Sequence, residues 1–183
     1  FLAEGLPDDY TVYGNPWLVE RSGVIYELDA VVVAPRAIFV VEIKAHRGRI
    51  EGTDNDWWLP EKIRSPLKLN RLTAQVLKSH LRNASYQAGQ VWVEGFVFLS
   101  GTTDVGVRGP ASTDRVHTRR TILTALQDDK LIERISNGRA GTHGTPTDAA
   151  AAELSAMFIG TQEGNGPRPV RSVREYDVID TLE

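Results

Sequence analysis

The chain has 183 residues, 41% hydrophobic and 25% charged, the size and balance of one globular domain or one and a half. Cysteine is absent, which excludes disulfide scaffolds, Cys-ligated zinc and thiol nucleophiles and is compatible with a reducing, cytoplasmic setting. The formal charge of −3 hides a basic middle: residues 44–82 carry nine basic residues against four acids, whereas residues 1–43 carry two against seven. Such a segment is either a local anion site or a solvated helix face. No run of 18 apolar residues occurs, so no membrane span is expected.

Residues 10–18 predict a strand interrupted at Asn15-Pro16. Residues 24–34 and 37–45 are two apolar, β-branched runs around Pro35-Arg36 and predict a β-hairpin. Residues 48–59 hold a short hairpin, with Asp54-Asn55 as the turn and Trp57-Trp58 packing after it. Ser65-Pro66 suits the start of a helix that runs to about Arg82, with Leu69, Leu72, Val76 and Thr73 as its apolar stripe. A buried strand over 91–99, a helix over 118–128 and an Ala-rich helix over 146–159 follow. Gly/Pro-rich linker regions flank that last helix, within 136–172. Residues 173–183 read as one isolated strand, separate from the domain expected over 1–135.

The hairpin sets the chemistry. A turn centred on Pro35-Arg36 pairs residues whose numbers sum to 71, placing Asp29 opposite Glu42 and Glu27 opposite Lys44. Alternation then puts these four on one face and Leu28, Ala30, Val32, Phe39, Val41 and Ile43 on a core face. Opposed carboxylates with Cβ atoms about 5 Å apart repel. Among apolar neighbours they need a cation between them, or a proton on one of them. Two hard-oxygen ligands suit Mg²⁺ or Mn²⁺, and Lys44, on the same side, can hold a water nearby. The competing reading is a cross-strand Glu27–Lys44 salt bridge on a wet face. His46, His80, His117 and His143 lack metal-ligand spacing and read as surface or satisfied histidines.

The stretch Glu27-Leu28-Asp29, then Glu42-Ile43-Lys44 thirteen residues after Asp29, preceded by LPDDY and followed by a helix opening with SPL, resembles the NERD (nuclease-related) domain of the PD-(D/E)xK nuclease superfamily. The likeness is close over residues 6–82. It implies an α/β fold with a central mixed sheet and flanking helices. It also implies Mg²⁺ (or Mn²⁺) held by Asp29, Glu42 and the Ile43 carbonyl, with Lys44 positioning the attacking water. Glu27 and Gln75 are secondary candidates. Relatives carry an acid on a preceding helix, where only Glu4 is near, and Gln on the later helix, where Leu69 and Thr73 stand here. DNA is the implied partner, and Lys62, Arg64, Lys68, Arg71, Lys78 and Arg82 are expected to contact its phosphates. The layout also resembles the N-terminal part of serine/threonine kinases of phage-growth-limitation and BREX defence systems. Residues 173–183 would then open an attached kinase domain, with other defence-system proteins as partners. The alternative function is a non-catalytic module that binds nucleic acid or protein and regulates that kinase.

Overall fold

The structure, a computed structural model, describes residues 1–19, 23–59, 61–141 and 145–162. Its elements are α1 (Leu2–Gly5), β1 (Thr11–Gly14), β2 (Trp17–Val19), β3 (Ile25–Glu27), β4 (Ala30–Val33), β5 (Ala37–Lys44), β6 (Ile50–Thr53), β7 (Asp56–Leu59), β8 (Glu61–Arg64) and α2 (Pro66–Ala84). A 3₁₀ turn (Ala88–Gln90) leads to β9 (Trp92–Leu99), β10 (Val105–Arg108), α3 (Pro110–Arg115), β11 (Val116–Thr118), α4 (Ile122–Gln127), α5 (Asp129–Ser136) and α6 (Thr145–Gln162). The expected isolated strand at 173–183 lies outside the described residues.

A five-stranded mixed sheet, in the order β1-β4-β5-β9-β11, forms the centre. β1, β4 and β5 are antiparallel, while β5, β9 and β11 run parallel. A four-stranded sheet, β10-β6-β7-β8, stands beside it and contains the hairpin expected at 48–59. Helices cover both faces of the central sheet. On one face Val32, Phe39, Val41 and Phe96 pack with Ile122 and Leu126 of α4 and Leu131 and Ile132 of α5. On the other, Val31, Val33, Ile38 and Val40 pack with Leu77 and Leu81 of α2 and Leu154 and Phe158 of α6. β4 is therefore buried along its whole length, as strands covered on both faces are. The second face is not the wet face of the salt-bridge reading, and the Ala-rich helix expected between linkers docks directly on it.

α2 begins where Ser65-Pro66 predict, and the Ser65 side chain accepts from the Leu67 N–H. Its buried stripe is only in part the expected one. Thr73 is buried and Val76 packs at the core edge as expected, but Leu67, Asn70, Ala74, Leu77 and Leu81 form the rest of the buried face and Leu72 is 47% exposed. A polar side chain sets this phase. Asn70 Nδ2 donates to the carbonyls of Val40 (3.2 Å) and Phe96 (2.8 Å). Gly95 makes room for it: a Cβ there would stand 3.1 Å from Asn70 atoms. An isolated glycine within a strand marks such a close approach. The helix expected from 118 starts at Ile122, because Val116–Thr118 extends the sheet as β11 and Thr121 Oγ1 takes the Thr118 N–H.

His117 is buried in β11, with Nε2 3.1 Å from the Asp114 carbonyl and its ring against Phe96. Burial pushes its pKa down to about 4. Unfolding returns it to an ordinary imidazole, so the unfolded chain binds more protons between about pH 6.5 and 4. Its contribution is therefore complete above pH 6.5 and is lost as pH falls toward 4, by up to about 3 kcal/mol. Asp54 and Asp114, both held below the usual carboxylate range, contribute their own loss below that window. Urea unfolding at pH 7 and pH 4.5 should show a marked loss for wild type and a smaller one for His117→Phe. Equal losses would contradict this.

Candidate active site at the end of β5

β1-β2 and β4-β3 form one long hairpin that bends in the middle. The pairs Gly14↔Ala30 and Trp17↔Glu27 share one register, and the bend at Asn15-Pro16 faces Leu28-Asp29. Asn15 has φ 50° and donates its N–H to the Asp29 carbonyl, while Leu28 N–H goes to Pro16 O. An asparagine tolerates this left-handed backbone better than most residues. At the bend the chain leaves β5. β4 pairs with β5 from Val33↔Ile38 to Ala30↔Val41, all summing to 71 as expected, and stops there.

Two site residues are brought together at that point. Beyond Ala30 no main-chain partner follows along β5, and the Asp29 side chain takes its place: Oδ2 accepts the Ile43 N–H at 2.6 Å. The short distance fits a charge-assisted bond. Glu42 precedes Ile43 and lies beside Val97 of β9, on the face that α2 covers. Lys44 Nζ is 2.9 Å from Glu42 Oε1, with the two side chains 23% and 26% exposed. Asp29, Glu42, Ile43 and Lys44 thus share one half-buried corner. Glu27 does not join them in the expected way. It pairs with Trp17 in β2 rather than with Lys44, because the bend carries β3 off the sheet. The same bend sends Leu28 to the α2-side core instead of the face of Ala30 and Val32.

The helix candidates separate along α2. Leu67, near its start, packs on Val97 and Leu99 beside Glu42, so Lys68 and Arg71 lie at the site end, both exposed. Arg82 is about 16 Å further along the axis, beside Gly89. Lys78 is half-buried, and its ammonium donates to the Val91 carbonyl; burial, then the nearby Arg82 charge, lowers its pKa. Lys62 and Arg64 project from β8, where Lys62 pairs with Asp56 and stands over Trp58. Trp57 is fully buried. Gln75 is exposed on α2, while Leu69 is half-buried and Thr73 buried. Glu4 belongs to α1, whose Leu2 packs on the opposite face of the sheet.

Sequence reasoning missed Asn70. It is buried against Val40, two residues before Glu42 on β5, and its Oδ1 has no hydrogen-bond partner. Its signal was a polar residue at core spacing opposite a strand glycine. The donor set fits a hard divalent cation, since it offers two carboxylates and a main-chain carbonyl, all oxygen. The bond fixing Asp29 also orients it toward the Glu42–Ile43 segment. Among the described residues no group of three His, Asp or Glu side chains with metal-site geometry occurs.

Residues 1–100 match the nuclease-related domain (NERD) family, and the chain belongs to that family. Neither a curated protein nor a solved structure matches it. The matched span contains α1 through β9, hence Asp29, Glu42, Lys44 and the whole of α2. Among the described residues no helix is long and apolar enough to cross a membrane.

The two roles of Asp29, acceptor and anion, are separable. Asp29→Ala leaves the Ile43 N–H without its acceptor and should cost about 1–3 kcal/mol in urea unfolding. Asp29→Asn keeps an acceptor oxygen and should stay within about 1 kcal/mol of wild type, yet lose any stabilisation by Mg²⁺ or Mn²⁺. Equal destabilisation by both variants would show that the carboxylate charge, not the acceptor, holds the strand end.

Proposed function

We propose that this chain is a Mg²⁺- or Mn²⁺-dependent DNA phosphodiesterase whose centre is Asp29, Glu42, the Ile43 carbonyl and Lys44. The observation that carries this reading is the convergence of Asp29 on the Glu42-Ile43-Lys44 segment through the 2.6 Å bond to the Ile43 N–H, within a nuclease-related domain. Asp29, Glu42 and the Ile43 carbonyl would hold the cation. When bound, it would supply Lewis-acid polarisation of the scissile phosphate and a more acidic attacking water. The protein's own residues do the rest. Asp29 is immobilised by its bond from the Ile43 N–H, which holds its carboxylate at the Glu42-Ile43 segment. Lys44, whose Nζ lies beside Glu42, would turn its N–H groups from that carboxylate to a water and offset the charge growing on the phosphoryl oxygens. The walls formed by Val97, Leu99 and Leu67 lower the local dielectric and strengthen both effects.

The family likeness and the resemblance of residues 173–183 to the opening of a kinase domain support a cytoplasmic role in a bacterial anti-phage defence kinase. Two observations favour a second reading, a binding module without catalysis: Lys44 bridges to Glu42, and no third acid completes the site among the described residues.

Thermal melting and cleavage assays of the full chain separate the two. At ten times the Kd, the cation should stabilise the wild type by about 1.4 kcal/mol, a rise of about 3–6 °C in Tm. DNA cleavage should require that cation. Glu42→Ala should abolish both effects. DNA binding with neither a metal shift nor cleavage would establish the second reading.

A further inference from the structure

We propose that Arg119 and Arg120, in the turn between β11 and α4, act with Arg47 as a DNA-backbone clamp that extends the site across the carboxyl edge of the sheet. The clamp rests on the proposed nuclease reading for its substrate class.

β5, β9 and β11 are parallel, so their carboxyl ends share one rim. Lys44 is in register with Leu99, and Leu99 with Thr118. The rim loops are physically joined. Ser100 N–H donates to the Lys44 carbonyl at 2.9 Å. Gly101 lies so close to Ala45 and His46 that a Cβ would stand 2.4 Å from the His46 carbonyl oxygen. Arg119 Nε donates to the Ser100 carbonyl at 2.7 Å, and its guanidinium lies over the Phe1 ring, 5.2 Å from the centroid. One bonded path therefore runs from the site lysine to Arg119.

The charge of this rim is one-sided. The loops 45–49, 100–104 and 119–121 hold Arg47, Arg49, Arg119 and Arg120 against one acid, Asp104. Arg49 binds that acid at 3.0 Å and also Glu51 at 2.6 Å. Arg47, Arg119 and Arg120 are exposed. Arginine presents a planar fork suited to phosphate, and the bond to Ser100 fixes the plane of one fork in advance. Lys44 and Thr118 are two strand spacings apart, about 10 Å. A DNA strand advances about 3.4 Å per nucleotide along its axis, so the arginine pair would grip the backbone about three nucleotides from the phosphate at Lys44. A row of cations along an open rim suits an extended polyanion rather than a single small phosphate.

The test measures binding of the full chain to a labelled, mixed-sequence DNA duplex over a range of NaCl concentrations. Glu42→Ala is the background and no divalent metal is added, so cleavage cannot intervene. Arg119→Gln with Arg120→Gln should weaken binding by about tenfold or more at low salt and reduce the salt slope by about two. Arg120→Gln alone keeps the Arg119–Ser100 bond and should reduce the slope by about one, with an unchanged Tm. Arg139→Gln, an exposed cation after α5 near the hairpin turn, should bind as the background does. Unchanged affinity and slope in the double variant would overturn the clamp, as would an equal loss in Arg139→Gln. A wild type that never cleaves, with binding that still depends on the arginine pair, would remove the nuclease reading and keep the clamp. Metal-dependent cleavage that the double variant retains in full would do the reverse.

Discussion

The candidate site depends on how one strand ends. β5 continues for three residues past its last pair with β4, and an unpaired main-chain N–H at a half-buried sheet end is costly. The Asp29 carboxylate satisfies the Ile43 N–H, so the departure of the chain toward β3 and the placement of an acid beside Glu42 are one event. Were the ladder continued by main chain instead, Asp29 would lose its anchor and Glu27 would stand opposite Lys44. The bend at Asn15-Pro16 and Leu28-Asp29 thus positions one carboxylate and takes Glu27 out of main-chain register with Lys44.

A second constraint fixes the other side of the corner. α2 lies against β5 and β9 through Asn70, whose amide bonds to both strands, and Gly95 permits the approach. This brings Leu67 over Val97 and Leu99, which walls the Glu42 side of the sheet at the helix start. Burying the amide is tolerable because its N–H donors are used. Its Oδ1 has no hydrogen-bond partner, and its Nδ2 is held at Val40, two residues before Glu42 on β5.

Much of this was legible in the residues. The sum-of-71 register, the 48–59 hairpin and the Ser65-Pro66 helix start follow from turn chemistry and capping, which act over a few residues. The continuous strand through 24–34 failed because the apolar run gives no sign of where β4 exchanges β5 for β2 as partner; the facing Asn15-Pro16 break held that information across the hairpin. The helix stripe was read only in part: Thr73 and Val76 turn inward as expected, but Asn70 counts as polar in any hydrophobic pattern, although its core position is set by carbonyls of two strands. The rim arginines were invisible for a different reason: Lys44, Ser100 and Arg119 are distant in sequence, and only the parallel pairing of β5, β9 and β11 aligns them.

The central claim is that Asp29 and Glu42 form a cation site at the end of β5. A crystal structure of the full chain grown with Mn²⁺, measured at the manganese absorption edge, tests it most directly. An anomalous peak bounded by Asp29, Glu42 and the Ile43 carbonyl, with Lys44 Nζ displaced from its contact with Glu42, is the predicted result. A map with no peak at that corner, and Lys44 still bound to Glu42 at saturating Mn²⁺, would contradict it.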